Sequence, residues 1–415
     1  MDNSFEVIKA YLDATNQLEI QMTEKNYFID LYSKMIAINS VNPSGGGKGE
    51  SNRAEFLKRE ILKWSKEIRF EEYVAESDGI KRPNLLFLFD RGKERTVWFV
   101  AHMDTVSEGD PSLWKYPPFK ATIEGDKIYG RGTCDNGQGG ISSLIALRHF
   151  LDHPDEMKNN IGVIMVSDEE AGSTYGIDYV LQKRKFTKND KFVVPDFGTP
   201  DGSSVEVAEK GLIWLKITVI GKQCHASTPD VGKNAHRLAR ELELRIDKSL
   251  HSKFDAKDSQ FTPPTSTFEP TKVEPGTTSV NIIPGKESFY FDMRILPKYT
   301  IDEVFNEVKR ISNEFTRESG ADVLLEFINK AKPSSNTPEG RAFVQKFIDS
   351  VKKVRGIDVK SVGIGGGTCG AFFRNNGFDT IVWGTLDETE HMPNEYAKLS
   401  NVFGDAEVFI DFVKS

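Results

Sequence analysis

The sequence predicts an α/β protein whose mostly parallel sheet, flanked by helices, belongs to a discontinuous domain interrupted by an inserted α+β unit with antiparallel sheet. Three observations predict it. Apolar runs of strand length, such as Thr96 to Ala101 and Gly162 to Val166, alternate with helical stretches in the first half, as strands covered on both faces do. From Leu212 the texture changes to alternation, with Phe289, Phe291, Met293 and Ile295 separated by Tyr290, Asp292 and Arg294, the pattern of a sheet buried on one face. After Lys332-Pro333-Ser334-Ser335 the first texture returns. At 415 residues the chain exceeds the usual size of one core, so residues 1–210 and 331–415 are assigned to the discontinuous domain and 211–330 to the insert.

Taken in order, the first segment reads as helices over Phe5 to Leu18 and Lys25 to Ile38, a Gly45-Gly46-Gly47 loop, and a helix over about Glu50 to Trp64. Strands follow at Asn84 to Phe89 and Thr96 to Ala101, the second leading straight to His102. Asp135 opens a glycine-rich turn before a helix over Ile141 to Leu151. The strand Gly162 to Val166 runs into Ser167-Asp168-Glu169-Glu170, and Phe192-Val193-Val194 ends at Asp196. Three strands thus deliver imidazole or carboxylate groups at their carboxyl ends, where open α/β sheets place their ligands. The insert reads as a strand over Leu212 to Ile220, helices near Gly232 to Leu244 and Ile301 to Ser319, and a strand over Val323 to Ile328. The returning segment carries a helix near Glu339 to Val354, the loop Gly365-Gly366-Gly367, a strand over Thr380 to Trp383, His391 and a closing helix.

Composition removes several function classes. A formal net charge of −8, with 28% charged residues, disfavours the broad electropositive face that nucleic acid or an anionic membrane requires. No apolar run approaches the roughly 18 residues of a membrane span, and the amino terminus lacks a basic start followed by an apolar stretch. A cytoplasmic location is therefore expected. The three cysteines, Cys134, Cys224 and Cys369, are odd in number and not closely paired, which fits reduced thiols rather than a disulfide framework.

His102, Asp135, Glu169, Glu170, Asp196 and His391 together supply two imidazoles and four carboxylates, a donor set suited to a pair of borderline-hard divalent ions. Singly, each has a plainer reading: His102 as a rim histidine, Asp168-Glu169-Glu170 as a solvated turn, Asp196 as a turn start. Their ordered occurrence favours a two-metal hydrolase. The motifs His102-Met103-Asp104-Thr105-Val106, Gly130-Arg131-Gly132 leading to Asp135, Asp168-Glu169-Glu170, Glu209-Lys210-Gly211, His225-Ala226-Ser227, Asn281-Ile282-Ile283-Pro284, Asp292-Met293-Arg294, Gly366-Gly367-Thr368 and His391 extend over nearly the whole chain. In these the sequence resembles the zinc-dependent exopeptidases and deacylases that include acetylornithine deacetylase, succinyl-diaminopimelate desuccinylase, aminoacylase and glutamate carboxypeptidase, and most of all the archaeal-type metallohydrolases among them.

The resemblance implies two zinc ions per subunit, with cobalt able to substitute. Asp135 would bridge them, His102 and Asp196 completing one set and Glu170 and His391 the other. Glu169 would be the general base, and Asp104 would hold the other nitrogen of His102. His225 would meet the oxyanion, Arg294 the substrate carboxylate, and Asn281, Gly366 and Gly367 would orient the substrate. The insert would be a lid and dimerisation domain of a homodimer, and the bond between Asp135 and Asn136 would be cis. Implied substrates are N-acyl amino acids for a deacylase, or short peptides for a carboxypeptidase or dipeptidase; a noncatalytic binding protein is the remote alternative. Where several deacylases continue the glycine loop as Thr-Ser-Asp, this chain reads Thr368-Cys369-Gly370 and lacks that acidic group.

Overall fold

The computed structural model describes residues 22–336 and 340–415; the helix expected over Phe5 to Leu18 lies outside the described residues. The first segment contains α1 (residues 22–36), α2 (Ser51–Ile61), β1 (Arg69–Ser77), β2 (Ile80–Phe89), β3 (Thr96–His102), β4 (Thr122–Glu124), β5 (Lys127–Tyr129), α3 (Gly139–Asp152), β6 (Asn160–Val166), α4 (Ile177–Lys183), β7 (Lys191–Thr199) and β8 (Ser204–Glu209). Next come β9 (Gly211–Ile220), β10 (Cys224–His225), α5 (Ala235–Lys253), β11 (Thr267–Glu274), β12 (Ile282–Ile283), β13 (Lys286–Ile295), α6 (Ile301–Ser319) and β14 (Asp322–Ala331). The chain ends with β15 (Ser334–Ser335), α7 (Gly340–Arg355), β16 (Lys360–Ile364), α8 (Cys369–Asn375), β17 (Thr380–Thr385), β18 (Tyr396–Lys398) and α9 (Leu399–Val413).

Nine strands form one sheet in the order β1-β2-β6-β3-β7-β17-β8-β15, with β16 paired to β8 off this path. Its centre, β6, β3, β7 and β17, is parallel. The margins β1, β2 and β15 are antiparallel, which makes the sheet mixed. β17 lies between β7 and β8, so the sheet closes only when the last segment returns to it. Alternate residues of β3 serve two cores: Val97, Phe99 and Ala101 face α1, α3, α7 and α9, while Trp98 and Val100 face α4 and α8. Each such buried side chain contributes roughly 1.5–3 kcal/mol, which explains why the run carries no polar residue. Trp98 also dictates a glycine opposite it: a Cβ on Gly162, its register partner, would stand 2.2 Å from the indole.

Between β8 and β15 the chain builds a second sheet, β11-β13-β9-β14, antiparallel throughout. The predicted alternation is what its inner face displays, with Ile213, Leu215, Ile217, Phe289, Phe291 and Met293 packed against Leu242 and Ile246 of α5 and Val304 and Phe315 of α6. The bounds of α6 follow from its caps. Thr300 and Glu303 form a capping box at the start, and Gly320 ends the helix in the left-handed region at φ 64°.

The structure corrects the sequence reading at β7. Asp196 does not terminate that strand but stands inside it, because Gly198 and Thr199 continue the ladder against Gly384 and Thr385 of β17. β1 was missed because it is an edge strand with mixed exposure and no apolar run to announce it. Among the described residues no helix is long and apolar enough to cross a membrane.

Candidate metal centre

The carboxyl ends of β3, β6 and β7 converge with the loop before α3 and the loop after β17. His102 closes β3, Asp135 lies in the tight turn Thr133–Gln138, Glu169 and Glu170 follow β6, Asp196 projects from β7, and His391 stands in the 386–395 loop with φ 61°. Their ligand atoms form two groups, His102 with Glu169 and Asp196, and Asp135 with Glu170 and His391, each within 4.8 Å. Asp135 joins the groups: its Oδ1 is 2.7 Å from His102 Nε2 and its Oδ2 is 3.0 Å from His391 Nε2. Glu170 Oε2 is 3.1 Å from the same His391 nitrogen, and Asp196 Oδ1 is 3.5 Å from His102 Nε2. The peptide bond between Asp135 and Asn136 is cis.

Each group is oriented from behind. His102 Nδ1 donates to the carbonyl oxygen of Asp104 at 2.9 Å, while the Asp104 carboxylate is 3.7 Å away. A carbonyl only accepts, so Nδ1 carries a proton and Nε2 faces the centre. The Asp104 carboxylate instead receives the backbone N–H groups of Glu169 at 3.0 Å and Glu170 at 3.1 Å, with Asn42 Nδ2 at 2.8 Å. The acidic turn is braced further by a buried ion pair, in which Arg82 lies 3.0 Å from Asp168 and 2.8 Å from Glu50. Sequence reasoning missed Asn42, Glu50 and Arg82, which carry no motif signal of their own. It also missed Glu395, four residues after His391.

Electrostatics fits a cation-binding role. Burial pushes the His102 imidazole down, but Asp196 and Asp135 outweigh it and hold the ring well above its ordinary pKa. Hydrogen bonds to Asp135 and Glu170 raise His391 to about 10. Burial raises Glu169 and Glu170, with Asp196 adding to the first and Asp135 to the second. The two imidazoles therefore hold protons where a divalent ion would supply positive charge, and N/O donors of this kind suit zinc and its neighbours. The sign of the pH dependence follows. In the ion-free fold, the His391 contribution to stability is fully present below the ordinary value of 6.5 and lost as pH rises through about 10. Because a ligating imidazole must be neutral, metal uptake is expected to expel protons, with both histidines contributing. Calorimetric titration in buffers of different ionisation enthalpy measures this directly; uptake without proton release would remove the imidazoles from the ligand set.

A cavity of about 310 Å³ opens over the two groups. Cys134, Phe197, Gly198, Gly367, Thr368, Leu386, Glu388 and Glu390 complete its wall, and among the described residues no lysine or arginine lines it. Gly366, His225, Asn281 and Arg294 are not part of this wall. His225 is exposed on β10 with Nδ1 2.7 Å from Ser227 Oγ, and the carbonyl of Asn281 accepts from Ala226 N at 2.9 Å. The Arg294 guanidinium is engaged by both Asp292 carboxylate oxygens at 2.7 and 3.0 Å and donates to the Gly365 carbonyl at 2.7 Å. Cys134 and Cys369 are buried, and burial raises both thiols, so neither offers a thiolate at neutral pH.

An α/β sheet with this donor set at its carboxyl edge defines a metal-dependent hydrolase. Residues 98–415, well over half of the chain, match peptidase family M20/M25/M40, and the chain belongs to that family. It is 40% identical over 404 residues to a protein of Methanocaldococcus jannaschii described as an uncharacterized metallohydrolase, covering 93% of this chain and 98% of the relative. Against a succinyl-diaminopimelate desuccinylase of a Sulfurovum species the identity is 29% over 391 residues, with the same coverage of 93% and 98%. Among solved structures, an M20 family metallo-carboxypeptidase from Sulfolobus solfataricus superimposes with a TM-score of 0.72 at 20% identity, covering 93% of this chain and 98% of that one. The protein is thus a metal-dependent hydrolase of amides or peptides.

Proposed function

We propose that the protein is a two-zinc hydrolase, with cobalt an effective substitute, that cleaves the amide bond of N-acyl amino acids or short peptides beside a free carboxylate. The observation that carries this reading is Asp135, one carboxylate with an oxygen close to each of two imidazoles from opposite ends of the chain. When bound, the ions would acidify a water and polarise the amide carbonyl. The residues do the rest. His102, Asp135 and Asp196 would hold one ion and Asp135, Glu170 and His391 the other, while Glu169 takes a proton from the attacking water and passes it to the leaving amine. His225 stabilises the oxyanion once the insert closes or a second subunit presents it, and Arg294 exchanges Asp292 for the substrate carboxylate. In this reading residues 1–210 and 331–415 form the catalytic domain, 211–330 a lid that also mediates a homodimer, and the enzyme works in the cytoplasm on small substrates.

A deacylase of the acetylornithine or succinyl-diaminopimelate type is the first assignment. A peptidase acting on substrates with a free ammonium is favoured by a specific observation: Glu388 and Glu390 line the cavity with no ion-pair or hydrogen-bond partner among the described residues. Two divalent ions would balance Asp135, Glu169, Glu170 and Asp196, leaving these two charges uncompensated. The deciding experiment is mass-spectrometric detection of cleavage across N-acetyl and N-succinyl amino acids, dipeptides and longer peptides with zinc- or cobalt-loaded enzyme. Cleavage confined to one acyl class supports the deacylase, release of residues from varied peptides the peptidase, and silence with ions bound overturns both. On the peptidase reading, Glu388→Gln with Glu390→Gln lowers kcat/KM about fivefold for ammonium-bearing substrates relative to their acetylated forms, since an exposed charge pair is worth up to about 1 kcal/mol.

A further inference from the structure

Two halves of the metal-binding constellation differ in how they are supported. His102 closes a central strand and its side chain is 1% exposed, whereas the His391 side chain is 55% exposed on a loop. Asn394 ties that loop to the Leu113 carbonyl at 2.9 Å, and Glu395 ties it to the turn that carries Asp135. The Glu395 side chain is fully buried and both oxygens are saturated: Oε2 accepts from Arg131 Nη1 at 2.7 Å and Gly132 N at 2.9 Å, and Oε1 from Cys134 N at 2.8 Å and Asp135 N at 3.0 Å. Arg131 reaches on to the His391 carbonyl at 3.4 Å, and the Glu395 carbonyl accepts from Gly130 N at 3.0 Å. Immediately beyond, Tyr396 pairs with Tyr129 where β18 joins β5. One carboxylate therefore fixes the backbone of Asp135 and, through Arg131, the backbone of His391.

Resting on the two-ion reading, we infer that Glu395 is a positioning residue that sets affinity at the Asp135–Glu170–His391 position, and that Arg131 is its necessary partner. Among the described residues Glu395 is the side chain that accepts from the Asp135 backbone, and its partner Arg131 is the one that donates to the His391 carbonyl. The turn N–H groups at 132, 134 and 135 need an acceptor that reaches all three, which a carboxylate supplies and a carboxamide cannot, because its NH2 would face an N–H. Loss of one such supporting partner typically weakens metal binding about 10- to 100-fold. The Asp196–His102 position shares Asp135 but is also held by the central strands and by Asp104, so it should weaken less.

The test is cobalt titration of ion-free wild type, E395Q and R131K, reading absorption and bound-metal stoichiometry, with H391A as the reference for a lost second position. Wild type is expected to take up two equivalents. E395Q should bind the second at least tenfold more weakly while the first weakens less, approaching the spectrum of H391A, and R131K should shift the second in the same direction. If wild type binds only one equivalent, the two-ion reading falls. If wild type binds two and folded E395Q retains both affinities, the role of Glu395 is overturned. Should E395Q fail to fold, unchanged second-site affinity in R131K overturns it equally.

Discussion

Replacing Glu169 by glutamine should lower kcat about 10³-fold while leaving two ions bound, within the 10²- to 10⁴-fold range of a lost general base. The backbone of Glu169 is fixed by its N–H bond to Asp104 Oδ1 at 3.0 Å, so the turn survives the substitution. Its carboxylate belongs to the same cluster as His102 and Asp196, where burial and the Asp196 charge raise its pKa well above the ordinary value. A group in that place has two conceivable jobs. As a base it must exchange a proton, and glutamine, of equal size, cannot. As a ligand it would be needed to keep an ion, and glutamine would cost metal as well as turnover. Steady-state kinetics paired with metal analysis separates them: a fall in kcat at constant metal content and near-constant KM identifies the base, and parallel loss of an ion makes Glu169 a ligand instead.

The same residue shows what a sequence discloses and what it does not. The apolar runs of β3 and β6 and the alternation of β9 and β13 are direct consequences of burial on two faces or one, so the central sheet and the antiparallel insert were legible. His102, Glu169, Glu170 and Asp196 were legible because each follows such a run, whereas Asp135 and His391 stand in loops. The extent of β7 was not, since Asp196 interrupts the apolar run, and the pairing that carries the strand onward comes from β17, almost two hundred residues later. Bracing residues were equally hidden. Asn42, Arg82 and Glu395 act through contacts more than sixty, thirty and two hundred and fifty positions away in sequence, and no local period marks them. Arg294 illustrates a different limit: residue type allowed both an ion pair and a substrate contact, and here its fork is occupied by Asp292.

Asp135→Ala should be the more damaging change, costing both ions at once and about 10⁴-fold or more in kcat/KM, because metal polarisation alone supplies several kcal/mol to such a reaction. Replacement of Glu170 removes a partner of His391 only, and replacement of Asp196 a partner of His102 only. Asp135 touches both imidazoles, through Oδ1 at 2.7 Å and Oδ2 at 3.0 Å, so its loss empties the overlap between the two sets. Binding is also folding free energy: an ion held at 100 times its Kd stabilises the native state by about 2.7 kcal/mol. Zinc should therefore raise the Tm of ion-free wild type by several degrees and leave that of D135A almost unmoved. Calorimetry with and without chelator checks this independently of any substrate. A D135A protein that still binds two ions at wild-type affinity would show that the bridge is not Asp135, and the carboxylates of Glu169 and Asp196 would then have to be assigned to the two ions afresh.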